Sequence, residues 1–104
     1  MSDGTGDASW HLTEAAEEDL IEIWREGAKR WGPVQADRYA DAFEATFALL
    51  ARFPEMASDR RELTPPLRVH PSGAHMILYC PHSGGSILVI RVRHQREDWT
   101  TDPL

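Results

Sequence analysis

Ile87-Leu88-Val89-Ile90-Arg91-Val92-Arg93-His94 is the stretch of sequence that decides the fold. Four consecutive apolar residues fit a β-strand only where both faces of the sheet are covered, and the alternation that follows is typical of a strand with one exposed face. Strict alternation predicts one face with Leu88, Ile90, Val92 and His94, and another with Ile87, Val89, Arg91 and Arg93. Residues 75–80 form a second β-rich run, and residues 81–86 have the composition of a hairpin loop. The sequence therefore predicts a central hairpin that the rest of the chain covers.

The chain has 104 residues, which is enough for one domain with a single modest core. We expect a flexible leader at residues 1–8, a single domain at residues 9–99 and a tail at residues 100–104. Nothing approaches the roughly 18 apolar residues of a membrane span, and the first residues do not form a signal peptide. The one cysteine, Cys80, excludes an internal disulfide. The single cysteine is also compatible with a reducing cytoplasm, and no contact with a membrane is predicted.

The charge is divided unevenly along the chain. Residues 1–51 hold eleven acidic and four basic residues, whereas residues 52–104 hold six acidic and seven basic residues and four of the five histidines. The net charge of −6 lacks the basic excess expected of a protein that grips nucleic acid by its phosphates. A local cationic site in the second half remains compatible with this distribution.

Two amphipathic helices are predicted before the central hairpin. Thr13 is placed as the N-cap of the first helix, and Gly32-Pro33 ends it and begins the second, which stops at Phe53-Pro54. The apolar stripe of the first helix contains Ala16, Leu20, Ile23, Trp24, Ala28 and Trp31, and that of the second contains Ala36, Tyr39, Ala40, Phe43, Phe47 and Leu50. So short a link predicts an antiparallel helical hairpin.

Short strands are predicted at residues 9–12 and 67–70, with a loop over residues 54–66. The predicted order is β-α-α-β-β-β. This order indicates an α+β domain in which a helical hairpin packs on one face of a small antiparallel sheet.

Three segments follow one another in this order along the chain. The first is Leu12-Thr13-Glu14-Ala15-Ala16-Glu17-Glu18-Asp19-Leu20. The second is Leu67-Arg68-Val69-His70-Pro71 followed by His75-Met76-Ile77-Leu78-Tyr79, and the third is Ile90-Arg91-Val92-Arg93-His94-Gln95-Arg96-Glu97-Asp98. Together they resemble the RelE/ParE superfamily of type II toxins, and its ParE-like branch in particular. The resemblance spans roughly residues 10–99, nearly the whole predicted domain.

The resemblance implies a small cytoplasmic toxin that is neutralised by a cognate, ParD-like antitoxin, which wraps the toxin and itself binds operator DNA. ParE-like members are associated with inhibition of DNA gyrase, whereas RelE-like members are ribosome-dependent mRNA endonucleases. A member that serves only as antitoxin partner and co-repressor is a further alternative. No cofactor is implied.

Cleavage of RNA through its 2′-OH needs a base, cations for the phosphate and an acid for the leaving oxygen. The candidates for a nuclease site are Arg68, Arg91, Arg93 and His94. Met76 stands where resembling nucleases carry a basic residue, the only lysine is Lys29 in the first helix, and no tyrosine follows Tyr79. The sequence therefore favours an inhibitor that acts by binding a protein over an enzyme.

A binding surface for the target is predicted at the end of the last strand. Its candidates are Arg91, Arg93, His94, Arg96 and Trp99. Arginine and tryptophan often dominate protein interfaces. The alternative is that Arg96 pairs with Asp98 and Trp99 folds back onto the core.

Candidates for antitoxin binding are Trp24, Trp31, Tyr39 and Arg68. For Trp24 and Trp31, which lie seven residues apart on one stripe, the default interpretation is the core. The sharper one is a groove beside the helices that accepts an antitoxin helix. The histidines lack the paired spacing of a zinc site, so no metal site is predicted.

Overall fold

Two helices lie across one face of a five-stranded sheet in the computed structural model, which describes residues 9–63 and 66–97. The elements are β1 (Trp10–Leu12), α1 (Glu14–Trp31), α2 (Pro33–Arg52), β2 (Ser58–Arg60), β3 (Leu67–Ser72), β4 (His75–Pro81) and β5 (Ile87–His94). The predicted leader, the predicted tail and Trp99 lie outside the described residues. No helix in the described part of the chain has the length and apolar content needed to cross a bilayer.

The helical hairpin is confirmed at the predicted boundaries. The Thr13 hydroxyl accepts a hydrogen bond from the Ala16 N–H at 3.0 Å, which caps α1. Gly32 ends α1 with φ of 91°, a conformation that favours glycine, and Pro33 is the first residue of α2. The two helices are therefore joined by a single residue.

The sheet has the strand order β1-β5-β4-β3-β2 and is mixed rather than antiparallel. β1 pairs with β5 in parallel, while the other three pairs are antiparallel. β2 is an additional strand within the predicted loop at residues 54–66, and its three polar residues form the edge beside β3. The α+β class is confirmed, and the antiparallel sheet of four strands is corrected to a mixed sheet of five.

A β-bulge in β5 changes which residues share a face. Tyr79 pairs with Val89 and Leu78 pairs with Arg91, so Ile90 is an extra residue between them. An extra residue shifts the phase of alternation by one position. Val92 consequently faces the helices together with Ile87 and Val89, and the prediction that Val92 lies on the opposite face from them is wrong.

The main core lies between the helices and the sheet. Phe43, Phe47 and Leu50 of α2 pack there against Ile77 and Tyr79 of β4. On the other face of the sheet, Leu63 packs with Leu67, Val69 and Leu78 in a smaller cluster. The predicted apolar face of α2 is therefore the face that it buries.

Candidate functional site

A groove of about 730 Å³ opens between the helical hairpin and the end of the sheet. Six of its larger lining residues are Ile23, Trp24, Trp31, Tyr39, Phe43 and His75. We call it the hairpin groove. Trp31 is 66% exposed and Trp24 is 36% exposed, although both continue the apolar stripe of α1. Core burial, the default interpretation of these two tryptophans, is therefore wrong, and the structure places both in a groove.

Polar contacts fix the two tryptophans at the groove. The Trp24 indole N–H donates to Asp37 Oδ1 of α2 at 2.8 Å, so the ring is held between the two helices. Trp31 is the last residue of α1, and the Arg30 guanidinium lies 5.6 Å from the centre of its ring. Because its ring is held by Asp37, Trp24 loses little freedom on binding, and the 66% exposure of Trp31 leaves a large apolar surface for a partner.

Tyr39, His75 and His94 form a polar floor where the groove meets the sheet. The Tyr39 hydroxyl accepts the Ala74 N–H at 2.9 Å and lies 2.8 Å from His75 Nδ1. The rings of His75 and His94 stand edge to face with centres 5.1 Å apart. Burial, followed by the neighbouring His94, lowers the pKa of His75 and so favours its neutral form.

Arg91 is tied to α1 at the open edge of β5. Its Nε and Nη2 donate to the two carboxylate oxygens of Asp19 at 2.6 and 2.8 Å, and the Val92 N–H donates to the same carboxylate at 3.0 Å. The Thr13 hydroxyl donates to the Ile90 carbonyl at 2.7 Å. β1 ends at Leu12, so it leaves part of the β5 backbone without a partner strand. Thr13 and Asp19 form hydrogen bonds with the backbone groups of that uncovered edge. Arg91 thus has a structural partner.

The end of β5 is closed by a turn around Glu97. Glu97 Oε1 accepts the His94 N–H at 2.6 Å, and the carboxylate lies 3.4 Å from the Arg93 guanidinium. Burial raises the pKa of Glu97, but the His94 N–H and the Arg93 guanidinium outweigh it and lower the pKa overall. The side chain of Arg93 is only 12% exposed, whereas Arg96 is exposed.

The four residues proposed for a nuclease site contact different elements. Arg68 donates to the Ala57 carbonyl at 2.8 Å, beyond the end of α2, while Arg91 contacts α1. Arg93 contacts Glu97, and His94 packs on His75 at the groove floor. Within the described residues, the three arginines therefore contact three different partners, Ala57, Asp19 and Glu97.

Of the residues proposed for antitoxin binding, Trp24, Trp31 and Tyr39 line the hairpin groove, and Arg68 does not. Of those proposed for target binding, Arg91, Arg93, His94 and Arg96 lie at the end of β5 or just beyond it. Trp99 lies outside the described residues. No group of three metal-ligating side chains occurs among residues 9–63 and 66–97.

Sequence reasoning missed the sheet side of the groove and the role of Asp19. Ala74 and His75 line the groove because the β3–β4 turn lies beneath Tyr39, and nothing in the local pattern indicates that contact. Asp19 belongs to the segment that begins Leu12-Thr13 and carries the family resemblance, which is a signal for its importance. Its ion pair with Arg91 could not be found from sequence, because 72 residues separate the two.

Comparison with known proteins identifies the family. The family model described as ParE toxin of the type II toxin–antitoxin system parDE matches residues 11–99. Toxin ParE1 of Caulobacter vibrioides is 35% identical over 83% of this chain and 88% of its own length, and Toxin ParE of Escherichia coli is 36% identical over 86% and 87%. Toxin ParE1 of Mycobacterium tuberculosis (strain H37Rv) is 34% identical over 84% and 89%.

A solved structure supports the same fold. A chain described as the chromosomal ParDE TA system from P. aeruginosa superposes with a TM-score of 0.71 and 17% identity, covering 86% of this chain and 98% of its own. At that identity the likeness concerns the fold. The family model covers most of the chain, and the curated relatives exceed 30% identity over more than four fifths of it. This chain therefore belongs to the ParE toxin family of type II toxin–antitoxin systems.

Proposed function

We propose that this toxin is neutralised by a cognate antitoxin, a segment of which occupies the hairpin groove. The observation that carries this proposal is the pair of exposed tryptophans, Trp24 and Trp31, held at the wall of an apolar groove. An amphipathic segment that lays its apolar side into such a groove is a recurring mode of protein recognition. The volume of the hairpin groove lies within the range found for specific ligand-binding sites.

In the absence of the antitoxin, the toxin inhibits DNA gyrase by binding to it and not by catalysis. The membership in the ParE family supports this target, and the dispersed contacts of Arg68, Arg91 and Arg93 disfavour the ribosome-dependent mRNA endonuclease. Arg96 and Trp99 are the first candidates for contact with gyrase, because Arg91 and Arg93 already contact Asp19 and Glu97. DNA is contacted only through the antitoxin, and the protein acts in the cytoplasm.

The antitoxin site is tested by truncating one exposed tryptophan. The partner is the product of the small reading frame beside this gene, and its affinity is measured by titration calorimetry. We expect Trp31→Ala to weaken binding by about tenfold or more, as for a central aromatic anchor. Phe53→Ala is the matched control, since Phe53 is also an exposed aromatic residue but does not line the groove. Equal affinities for both variants would remove the groove from the interface.

The target is tested with purified gyrase and with translated mRNA. We expect a stoichiometric amount of the toxin to block supercoiling of relaxed plasmid, and the antitoxin to restore it. Arg96→Ala is expected to weaken inhibition, with Arg38→Ala, an exposed arginine of α2 that does not line the groove, as the control. Unchanged supercoiling together with ribosome-dependent cleavage of mRNA would overturn the gyrase target in favour of the nuclease. If the toxin neither blocks supercoiling nor cleaves mRNA, its remaining role is that of antitoxin partner and co-repressor.

A further inference from the structure

The carboxylates around the hairpin groove indicate the chemistry of the segment that fills it. We propose that this segment combines apolar anchors with flanking lysine or arginine side chains. The inference rests on the proposed antitoxin site and goes further, because it specifies what the antitoxin must present there.

Acidic side chains outnumber basic ones along the groove. Glu22 and Glu26 of α1 and Glu44 of α2 line it, whereas Arg30 is the single arginine or lysine that the described residues contribute to its lining. All three carboxylates are exposed. They therefore surround an apolar surface and place a negative rim on both helices, in the arrangement of an interface with an apolar centre and a polar edge.

Two of the three rim carboxylates have no ion-pair partner in the described part of the chain, and the third has only a long, exposed one. Glu26 and Glu44 have no ion-pair partner within 4.0 Å among residues 9–63 and 66–97, and Glu22 approaches Arg25 only at 3.9 Å. Arg30 is directed over the ring of Trp31. The rim can therefore attract a cationic partner without first breaking a strong internal pair.

The same rim disfavours anionic occupants. A nucleic-acid phosphate would meet carboxylates on both helices. Residues 98–104 of this chain contain Asp98 and Asp102 and no basic residue, and a second copy would present another acidic α1. An apolar segment with basic flanks satisfies both the apolar walls and the rim, and its approach is accelerated by the field of the groove.

Charge reversal at the rim tests the proposal with the antitoxin encoded beside the gene. The test variant is Glu26→Lys/Glu44→Lys. The control, Glu18→Lys/Asp41→Lys, changes the net charge equally and also alters one exposed residue on each helix, but neither residue lines the groove. We expect the test variant to weaken binding by about tenfold, mainly through slower association, and the control to change it by about twofold at most.

Salt provides the second measurement. Raising NaCl from about 50 mM to about 500 mM is expected to slow association with the wild-type toxin and to have a smaller effect on the test variant, since salt screens exposed charges.

The Trp31→Ala measurement separates the two proposals. If Trp31→Ala weakens binding but reversal of the rim charges does not, the antitoxin binds the groove and the proposal of basic flanks is wrong. If neither variant affects binding, the proposal that the antitoxin binds the groove is wrong. Tighter binding by the test variant than by the wild type would overturn the basic flanks outright.

Discussion

Asp19 joins the first helix to the last strand through one carboxylate. It accepts two hydrogen bonds from Arg91 and one from the Val92 N–H, and the side chains of Asp19 and Arg91 are only 15% and 22% exposed. Removing one partner from a largely buried ion pair leaves the other charge and its donors unsatisfied. We expect Asp19→Ala to lower the free energy of unfolding by about 2–3 kcal/mol, measured by urea denaturation.

The matched control for Asp19 is Glu22 on the same helix. Glu22 pairs with Arg25 at 3.9 Å, and both side chains are about two thirds exposed. Exposed pairs contribute little, so Glu22→Ala should change the free energy of unfolding by less than about 0.5 kcal/mol. A similar small loss for Asp19→Ala would show that the Asp19–Arg91 pair does not support the fold.

The lowered pKa of His75 makes the stability of the protein depend on pH. Its pKa is lowered by burial and by His94, with opposing contributions from Glu97 and Asp19. Because the pKa in the folded state lies below its ordinary value of 6.5, the unfolded chain binds this proton first as the pH falls. The stability that His75 contributes is therefore present above pH 6.5 and is lost as the pH falls through the pKa of the folded state.

The measurement is the urea midpoint at several pH values for the wild type, His75→Gln and His82→Gln. We expect His75→Gln to lose less stability than the wild type between about pH 7 and about pH 5. His82→Gln is the control at an exposed histidine and should follow the wild type. Parallel curves for the wild type and His75→Gln would contradict the effect.

At the scale of elements, Gly27 marks the close approach of α1 to α2. A Cβ atom built on Gly27 would lie 3.5 Å from the Ala36 Cβ, which is an ordinary van der Waals distance. Glycine in a helix interior costs about 0.5–1 kcal/mol relative to alanine. We therefore expect Gly27→Ala to raise the free energy of unfolding by about that amount in urea denaturation.

Gly73 provides the contrast in the β3–β4 turn. Its φ is 59°, and a Cβ atom there would lie 2.5 Å from the Tyr39 hydroxyl. We expect Gly73→Ala to destabilise the protein by about 1–3 kcal/mol. If Gly27→Ala also destabilised it, the two helices would have to pack more closely than the structure shows.

The helices could be predicted from sequence because each depends on local signals. Thr13 as a cap, Gly32-Pro33 as a break and the stripe through Phe43 and Phe47 all lie within one element. The bulge at Ile90 could not be predicted, because the run of apolar residues 87–90 hides a change in the phase of alternation. The parallel pairing of β1 with β5 was missed because strand partners are set by the whole fold.

The candidate site follows the same division. The aromatic residues of the helical hairpin indicate a possible groove at Trp24, Trp31 and Tyr39, yet the exposure of the two tryptophans could not be predicted, because their spacing on one stripe favours the core. His75 was missed because it reaches the groove through the sheet. Arg68, the fourth candidate for antitoxin binding, donates to Ala57 and does not line the groove.

At the scale of the whole molecule, the uneven charge of the sequence corresponds to two regions. The acidic first half forms the helical hairpin with its groove, and the weakly basic second half forms most of the sheet with Arg93 and Arg96 at the end of β5. If the antitoxin fills the groove while gyrase contacts Arg96, the two partners recognise regions of opposite charge. Neutralisation then requires that the antitoxin also extend over the end of β5 or block gyrase sterically.

The last prediction concerns the stability of the toxin in its complex. A partner that binds the folded toxin but not the unfolded chain raises the free energy of unfolding. At a partner concentration of about 100 times the dissociation constant, the increase is about 2.7 kcal/mol. For a domain of this size, we expect the Tm to rise by about 10 °C or more in differential scanning calorimetry. Binding should also shift the fluorescence of the exposed Trp31 to shorter wavelength, and Trp31→Phe should remove most of that shift. Trp24 also lines the groove, so Trp24→Phe is measured in the same way. If the complex raises the Tm but neither Trp31→Phe nor Trp24→Phe changes the fluorescence shift, the antitoxin stabilises the toxin from a surface outside the hairpin groove.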